Sequence, residues 1–119
     1  RIVGIHNYSD INRKRTRGTR SIIKTAKRYN RRASFWLTET GGVVNFGKAW
    51  PYNPPRAANR LKFLFSTTKK LRRDIDRVYV YNWTGAERGA RFDAGVVGPH
   101  GETRPALKVL RDQLKNFLR

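Results

Sequence analysis

Ser34-Phe35-Trp36-Leu37-Thr38-Glu39-Thr40-Gly41-Gly42 is the stretch on which the reading of the fold turns: a short apolar run, one carboxylate, then a glycine pair. Strands buried in parallel sheets read as near-continuous apolar runs, and in α/β folds the chemistry sits on the loops at the C-terminal ends of such strands. Glu39 stands at that end. Gly41 and Gly42 allow a sharp turn and leave the carboxylate uncrowded. With only 8 Asp and Glu against 27 Lys and Arg in the chain, an acid in this place reads as a functional group rather than a solubilising charge.

Upstream, Arg1 to His6 reads as a strand, followed by a loop from Asn7 to Arg17. A helix begins with Thr19 as N-cap. It carries Ile22, Ile23, Ala26 and Tyr29 on one stripe and Arg20, Lys24, Lys27 and Arg28 opposite, and it stops near Asn30. Downstream, Val43 to Pro55 is irregular and includes Trp50-Pro51-Tyr52. Pro54-Pro55 then opens a helix whose apolar face is Ala57, Leu61, Leu64, Phe65, Thr68 and Leu71. Asp74-Ile75-Asp76 turns the chain into a third strand, Arg77 to Trp83, rich in β-branched and aromatic residues. Thr84 to Glu102 is a long loop with a small hairpin at Gly98-Pro99-His100-Gly101. Pro105 opens the last helix, with Leu107, Leu110, Leu114 and Phe117 facing inward. Trp36, inside its strand, is expected in the core. Strand and helix alternate three times, which predicts an α/β fold with a parallel sheet covered by helices and right-handed crossovers.

A length of 119 residues suits one domain, spanning 1–119. The chain opens inside a strand, at Arg1-Ile2-Val3-Gly4-Ile5, and is expected to be part of something longer. No apolar run is long enough to span a bilayer. The absence of cysteine excludes disulfides and thiolate metal sites, and His6 and His100 have no metal-ligand spacing, so neither a metal nor a cofactor is expected. The net charge of +19 predicts attraction to polyanions. Its carriers are scattered over 11–32, 56–77 and 104–119, which reads as a basic surface rather than a specific nucleic-acid reading head. A parallel sheet of three strands leaves one face and both edges open. A (β/α)8 barrel, at about 250 residues, would complete it, and the chain would then be its last three β-α units.

Three successive strand ends carry His6-x-Tyr8, Thr38-Glu39-Thr40 and Asn82-Trp83. Their order and spacing resemble strands six to eight of the clan A glycoside hydrolases, retaining enzymes built on (β/α)8 barrels. Phe92-Asp93-Ala94-Gly95-Val96-Val97, followed by Gly101 and Arg104-Pro105-Ala106, looks like the last loop and helix of such hydrolases, and the run from Gly4-Ile5-His6-Asn7-Tyr8-Ser9-Asp10 to Gly42 looks like secreted actinobacterial members. The resemblance implies that Glu39 is the nucleophile, that His6 and Tyr8 orient it and line the sugar site, and that Trp83 is a stacking floor. It also implies a carbohydrate substrate, an extracellular parent and no cofactor.

The chemistry agrees with those roles. A retaining mechanism needs an ionised carboxylate to attack the anomeric carbon and a second carboxyl about 5–5.5 Å away to protonate the leaving oxygen. Hydrogen bonds from His6 or Tyr8 would favour the ionised form of Glu39. The clan's acid/base lies on strand four, which this sequence does not contain, and Asp10, Asp74, Asp76, Glu87, Asp93, Glu102 and Asp112 include no substitute. The chain alone is therefore expected to be inactive, completed by an N-terminal barrel half or by self-association. Two other readings stay open. One is a basic module binding nucleic acid or another polyanion; the other is a non-catalytic carbohydrate-binding half-barrel, indifferent to Glu39→Gln. Trp50 and Tyr52 are either a second sugar-facing edge or pins for their loop.

Overall fold

The computed structural model describes residues 1–117, with side chains through Lys115. Its elements run β1 (Ile2–His6), α1 (Tyr8–Asn12), α2 (Arg17–Tyr29), β2 (Ser34–Thr40), α3 (Pro54–Lys70), β3 (Ile75–Val80) and α4 (Pro105–Phe117). The strands form one parallel sheet in the order β1-β2-β3, with the Glu39 strand in the centre. The expected α/β fold of successive β-α units is what forms.

Alternation along the strands decides the two faces of this sheet. Ile5, Phe35, Leu37 and Ile75 are buried in one cluster with Ile23, Ala58, Leu61, Leu64 and Val109 from the helices. Trp36 points the other way. It is half-buried on the uncovered face, tilted against Tyr79, with the Arg77 guanidinium 4.8 Å above its ring. The expectation that Trp36 is core is thus corrected, because its neighbours Phe35 and Leu37 take the helix-facing positions and a strand alternates. β1 and β3 each pair on one side only among the described residues. Beside β3, a groove of about 960 Å³ opens between α3 and α4, lined by Phe65, Val78, Val80, Leu110 and Leu114 among others.

The helix α3 starts as its sequence predicts: Pro54 and Pro55 fill its first positions, and the Asn53 side chain accepts a hydrogen bond from the Arg56 N–H. Ala57, Leu61, Leu64 and Leu71 are buried, while Phe65 and Thr68 are half-buried toward the groove. The segment after β1 departs from expectation. Its first residues form the short helix α1 rather than a loop, and α2 begins at Arg17, so Thr19 lies inside the first turn instead of capping it. Asp10 acts as the cap: its Oδ2 accepts from the Thr19 N–H (2.7 Å) and hydroxyl (2.9 Å), placing a carboxylate at the positive end of the helix.

Two apolar stripes are also narrower than predicted. Ile23 is buried, but Ile22 (44% exposed) and Tyr29 (90% exposed), seven residues apart, share a line on α2 that nothing covers. On α4 the buried line is Ala106, Leu107 and Val109, with Leu110 half-buried and Leu114 exposed at the rim of the groove. The Phe117 side chain lies outside the described residues.

The third strand starts at Ile75, earlier than predicted, and ends at Val80. Past Tyr81, whose N–H still donates to Thr40, the backbone leaves β2 for the following loop: Val96 N–H donates to Asn82 and Val97 N–H to Trp83. The Tyr81–Asn82 peptide is cis. The turn at Gly98 to Gly101 closes as expected, with an antiparallel bridge between Val97 and Thr103.

Candidate functional site

Parallel register brings the C-terminal ends of the three strands together. His6 pairs with Glu39 across a register shift in β1, and its Nδ1 stands 3.7 Å from Glu39 Oε2. Both side chains are accessible, at 59% and 37% of their surface. Tyr8, two residues further, is half-buried and approaches the same carboxylate. Burial, then the negative charge of Glu39, holds the Tyr8 hydroxyl well above its ordinary range, so it stays protonated. The hydroxyl is sealed from solvent beside the Glu39 carboxylate. Three of the four residues singled out in the sequence therefore meet.

The fourth, Trp83, lies just beyond β3 with 59% of its surface exposed, and its indole touches no other ring among the described residues. A residue the sequence reading passed over lies beside Tyr8. Tyr81, directly after β3, packs at 6.3 Å on Phe92, which meets Tyr8 edge-on at 5.6 Å. Phe46 joins the other side of Phe92 at 5.9 Å, and Trp50 joins Phe46 at 6.0 Å. An aromatic run thus leads from the carboxylate out to the rim. Its members come from α1 and from the segments after β2 and β3, which is why no local pattern announces it.

Buried amides hold this end of the sheet. Asn12 donates to the carbonyls of Tyr8 (2.9 Å) and Gly41 (3.0 Å) and accepts from the Val43 N–H (2.8 Å), locking α1 to the turn that follows Glu39. Thr40 donates to Asn7 Oδ1, Asn7 donates to the Thr19 hydroxyl, and Thr19 donates to Asp10, so the last residue of β2 is tied to the start of α2. Gly42 lies so close to α3 that a Cβ would meet the Ala57 carbonyl at 2.0 Å.

The other carboxylates are engaged elsewhere. Asp10 serves Thr19 and Arg15; Asp93 is buried in a bidentate pair with Arg104; Asp74 and Asp76, at the opposite end of the sheet, meet Lys27 and Ser34. Glu87 pairs with His100, Glu102 accepts from the His100 N–H, and Asp112 pairs with Lys108. Asp10 and Asp93, read as loop carboxylates, are in fact structural groups nearly sealed from solvent. Among the described residues no group of three or more His, Cys, Asp or Glu could hold a metal ion, and no helix is long and apolar enough to cross a membrane.

No family model matches the chain, and no curated protein sequence does. Solved structures do. A GH2 β-galacturonidase from Eisenbergiella tayi bound to glycerol aligns with 97% of this chain at a TM-score of 0.73 and 14% identity. The fold is glycoside hydrolase-like. Bifidobacterium dentium β-glucuronidase, complexed with coumarin-3-O-glucuronide, aligns with 94% at 0.69 and 12% identity, and the E. tayi enzyme bound to galacturonate aligns with 97% at 0.68 and 12%. The chain spans 20–23% of the length of these structures. At such identities the likeness is one of fold.

Proposed function

We propose that the chain is the C-terminal portion of a retaining glycoside hydrolase of clan A type, contributing three consecutive β-α units of a single (β/α)8 barrel domain. The observation that supports this best is the constellation at the end of the central strand: Glu39 at its C-terminal end, His6 3.7 Å away, and the Tyr8 hydroxyl held beside the same carboxylate. Glu39 is the nucleophile in this reading, His6 and Tyr8 orient it, and Trp83 is a stacking surface. The fold of glycosidase structures supports the same assignment. The open strand edges and uncovered face are where the rest of the barrel docks. Since the other carboxylates described are paired away from Glu39, the acid/base comes from a strand outside these 119 residues.

The test isolates the nucleophile. A 2-deoxy-2-fluoro glycoside with a dinitrophenolate leaving group needs no general acid for departure, and the fluorine slows release of the glycosyl-enzyme. Incubated with the barrel-complete protein, a panel of such reagents is expected to add one glycosyl mass to the peptide holding Glu39, and Glu39→Gln to abolish the label. Labelling of a different carboxylate in an active enzyme would refute the assignment.

A further inference from the structure

We infer that a β-bulge in β2 delivers Glu39 to the site, and that Thr40 and Asn7 are the positioning residues that hold it there; the inference rests on the glycosidase reading above. Between Leu37 and Thr40 the central strand carries one residue more than either neighbour. Leu37 pairs with Ile5 and Glu39 with His6, so β2 advances two residues while β1 advances one. Leu37 pairs with Val78 and Thr40 with Val80, so β2 advances three while β3 advances two. An extra residue of this kind reverses the alternation of a strand from that point on. Before it, Phe35 and Leu37 point to the helices, while Trp36 and Thr38 take the uncovered face, where the Thr38 side chain lies against Gly4. Unbroken alternation would send Glu39 to the helices and Thr40 to the open face. The reverse is found: Glu39 faces His6 with 37% of its side chain exposed, and Thr40 is fully buried.

Thr40 is the residue that the bulge turns inward, and its hydroxyl donates to Asn7 Oδ1 at 2.5 Å. Asn7 stands between His6 and Tyr8 and is buried, whereas those two reach the Glu39 carboxylate. One hydrogen bond therefore ties the bulge to the segment that supplies both neighbours of Glu39. Its polarity is fixed from behind. The Thr19 hydroxyl gives its proton to Asp10 at 2.9 Å, so the Thr19 oxygen accepts from Asn7 Nδ2 at 3.3 Å, which turns Asn7 Oδ1 toward Thr40. All four side chains are buried, from 0% exposure at Thr40 to 5% at Asn7, so a lost member leaves its partner unpaired away from water. The bond between Thr40 and Asn7 belongs to the bulged register alone. Removing the bulge would carry Thr40 to the other face, away from Asn7, and Glu39 away from His6.

The measurement is the inactivation rate of the barrel-complete protein by the fluoroglycoside that labels wild type, with kcat and KM on the matching dinitrophenyl glycoside. Thr40→Val keeps the shape of the side chain and removes the donor; Thr40→Ser keeps the donor and removes a methyl group. Thr40→Val is expected to lower kcat and the saturating inactivation rate about 100-fold, the loss that a misplacement of about 1 Å brings, while Thr40→Ser stays within about fivefold of wild type. KM is expected to change less than about threefold in both, because the contact that is lost aims the carboxylate and touches no substrate. Asn7→Ala leaves the Thr40 hydroxyl without its acceptor; it carries the same expectation as Thr40→Val and replaces it if that variant does not fold. Equal losses in Thr40→Val and Thr40→Ser would overturn the inference in favour of packing alone, and so would a loss carried by KM. If a folded Thr40→Val has wild-type kinetics and is still labelled at Glu39, the positioning inference falls and the glycosidase reading stands. If no glycoside is turned over and Glu39 is never labelled in wild type, both fall.

Discussion

Arg104→Met is expected to be the most damaging single change that leaves the apolar core and Glu39 untouched. Arg104 and Asp93 are 6% and 2% exposed. Nη1 and Nη2 donate to the two carboxylate oxygens at 2.9 and 2.8 Å, and Nη1 also donates to the Gly95 carbonyl at 3.0 Å. Burial alone would lower the Arg104 pKa; Asp93 and Tyr52 outweigh it and hold the guanidinium above its ordinary value. Methionine fills much of the volume but leaves Asp93 with the Gly95 N–H as its remaining side-chain donor. Breaking a buried pair on one side costs about 3–5 kcal/mol. At roughly 4 °C per kcal/mol for a chain of this size, the melting temperature should fall by about 12–20 °C. The loop would loosen with it, because the Asp93 backbone exchanges hydrogen bonds with Asn45 and accepts from Val44, and the neighbouring Phe92 is the hub of the aromatic run. Urea unfolding of wild type, Arg104→Met, Asp93→Asn and the double variant tests this. Asp93→Asn in the Arg104→Met background should recover about 2 kcal/mol, since an amide tolerates burial where a lone carboxylate does not. A single-variant loss below about 1 kcal/mol, or a double variant as unstable as the sum of the singles, would refute the reasoning.

Gly42→Ala should destabilise by about 1–3 kcal/mol or more, because the added Cβ meets the Ala57 carbonyl at 2.0 Å and backbone must move to admit it; an unchanged unfolding midpoint would contradict the close approach of β2's turn to α3. Tyr8 makes a pH prediction. Its folded-state pKa is raised, so the unfolded hydroxyl ionises near pH 10 while the folded one keeps its proton. The contribution is intact below that pH and is lost as pH rises toward the folded value. Between about pH 8 and pH 11, the wild-type urea midpoint should fall more steeply than that of Tyr8→Phe; identical slopes would exclude the coupling.

The sequence by itself determined the α/β class, the helix opening at Pro54, the parallel order implied by alternation, and the placing of Glu39 at a strand end. These are local properties: period of two or 3.6, proline at a helix start, glycine after a strand, each expressed within one element. Only the tertiary structure decided that Asp10 caps α2, that Trp36 faces away from the core, that Ile22 and Leu114 lie outside the buried stripes, and that Asp93 is sealed against Arg104. It alone assembled Tyr81, Phe92, Phe46 and Trp50 into a run ending at Arg13. The physical reason is common to all of these. A side chain's face or partner depends on which distant element packs beside it, and the neighbours of Asp93, Trp50 and Asp10 are loops and helices whose approach no local periodicity encodes.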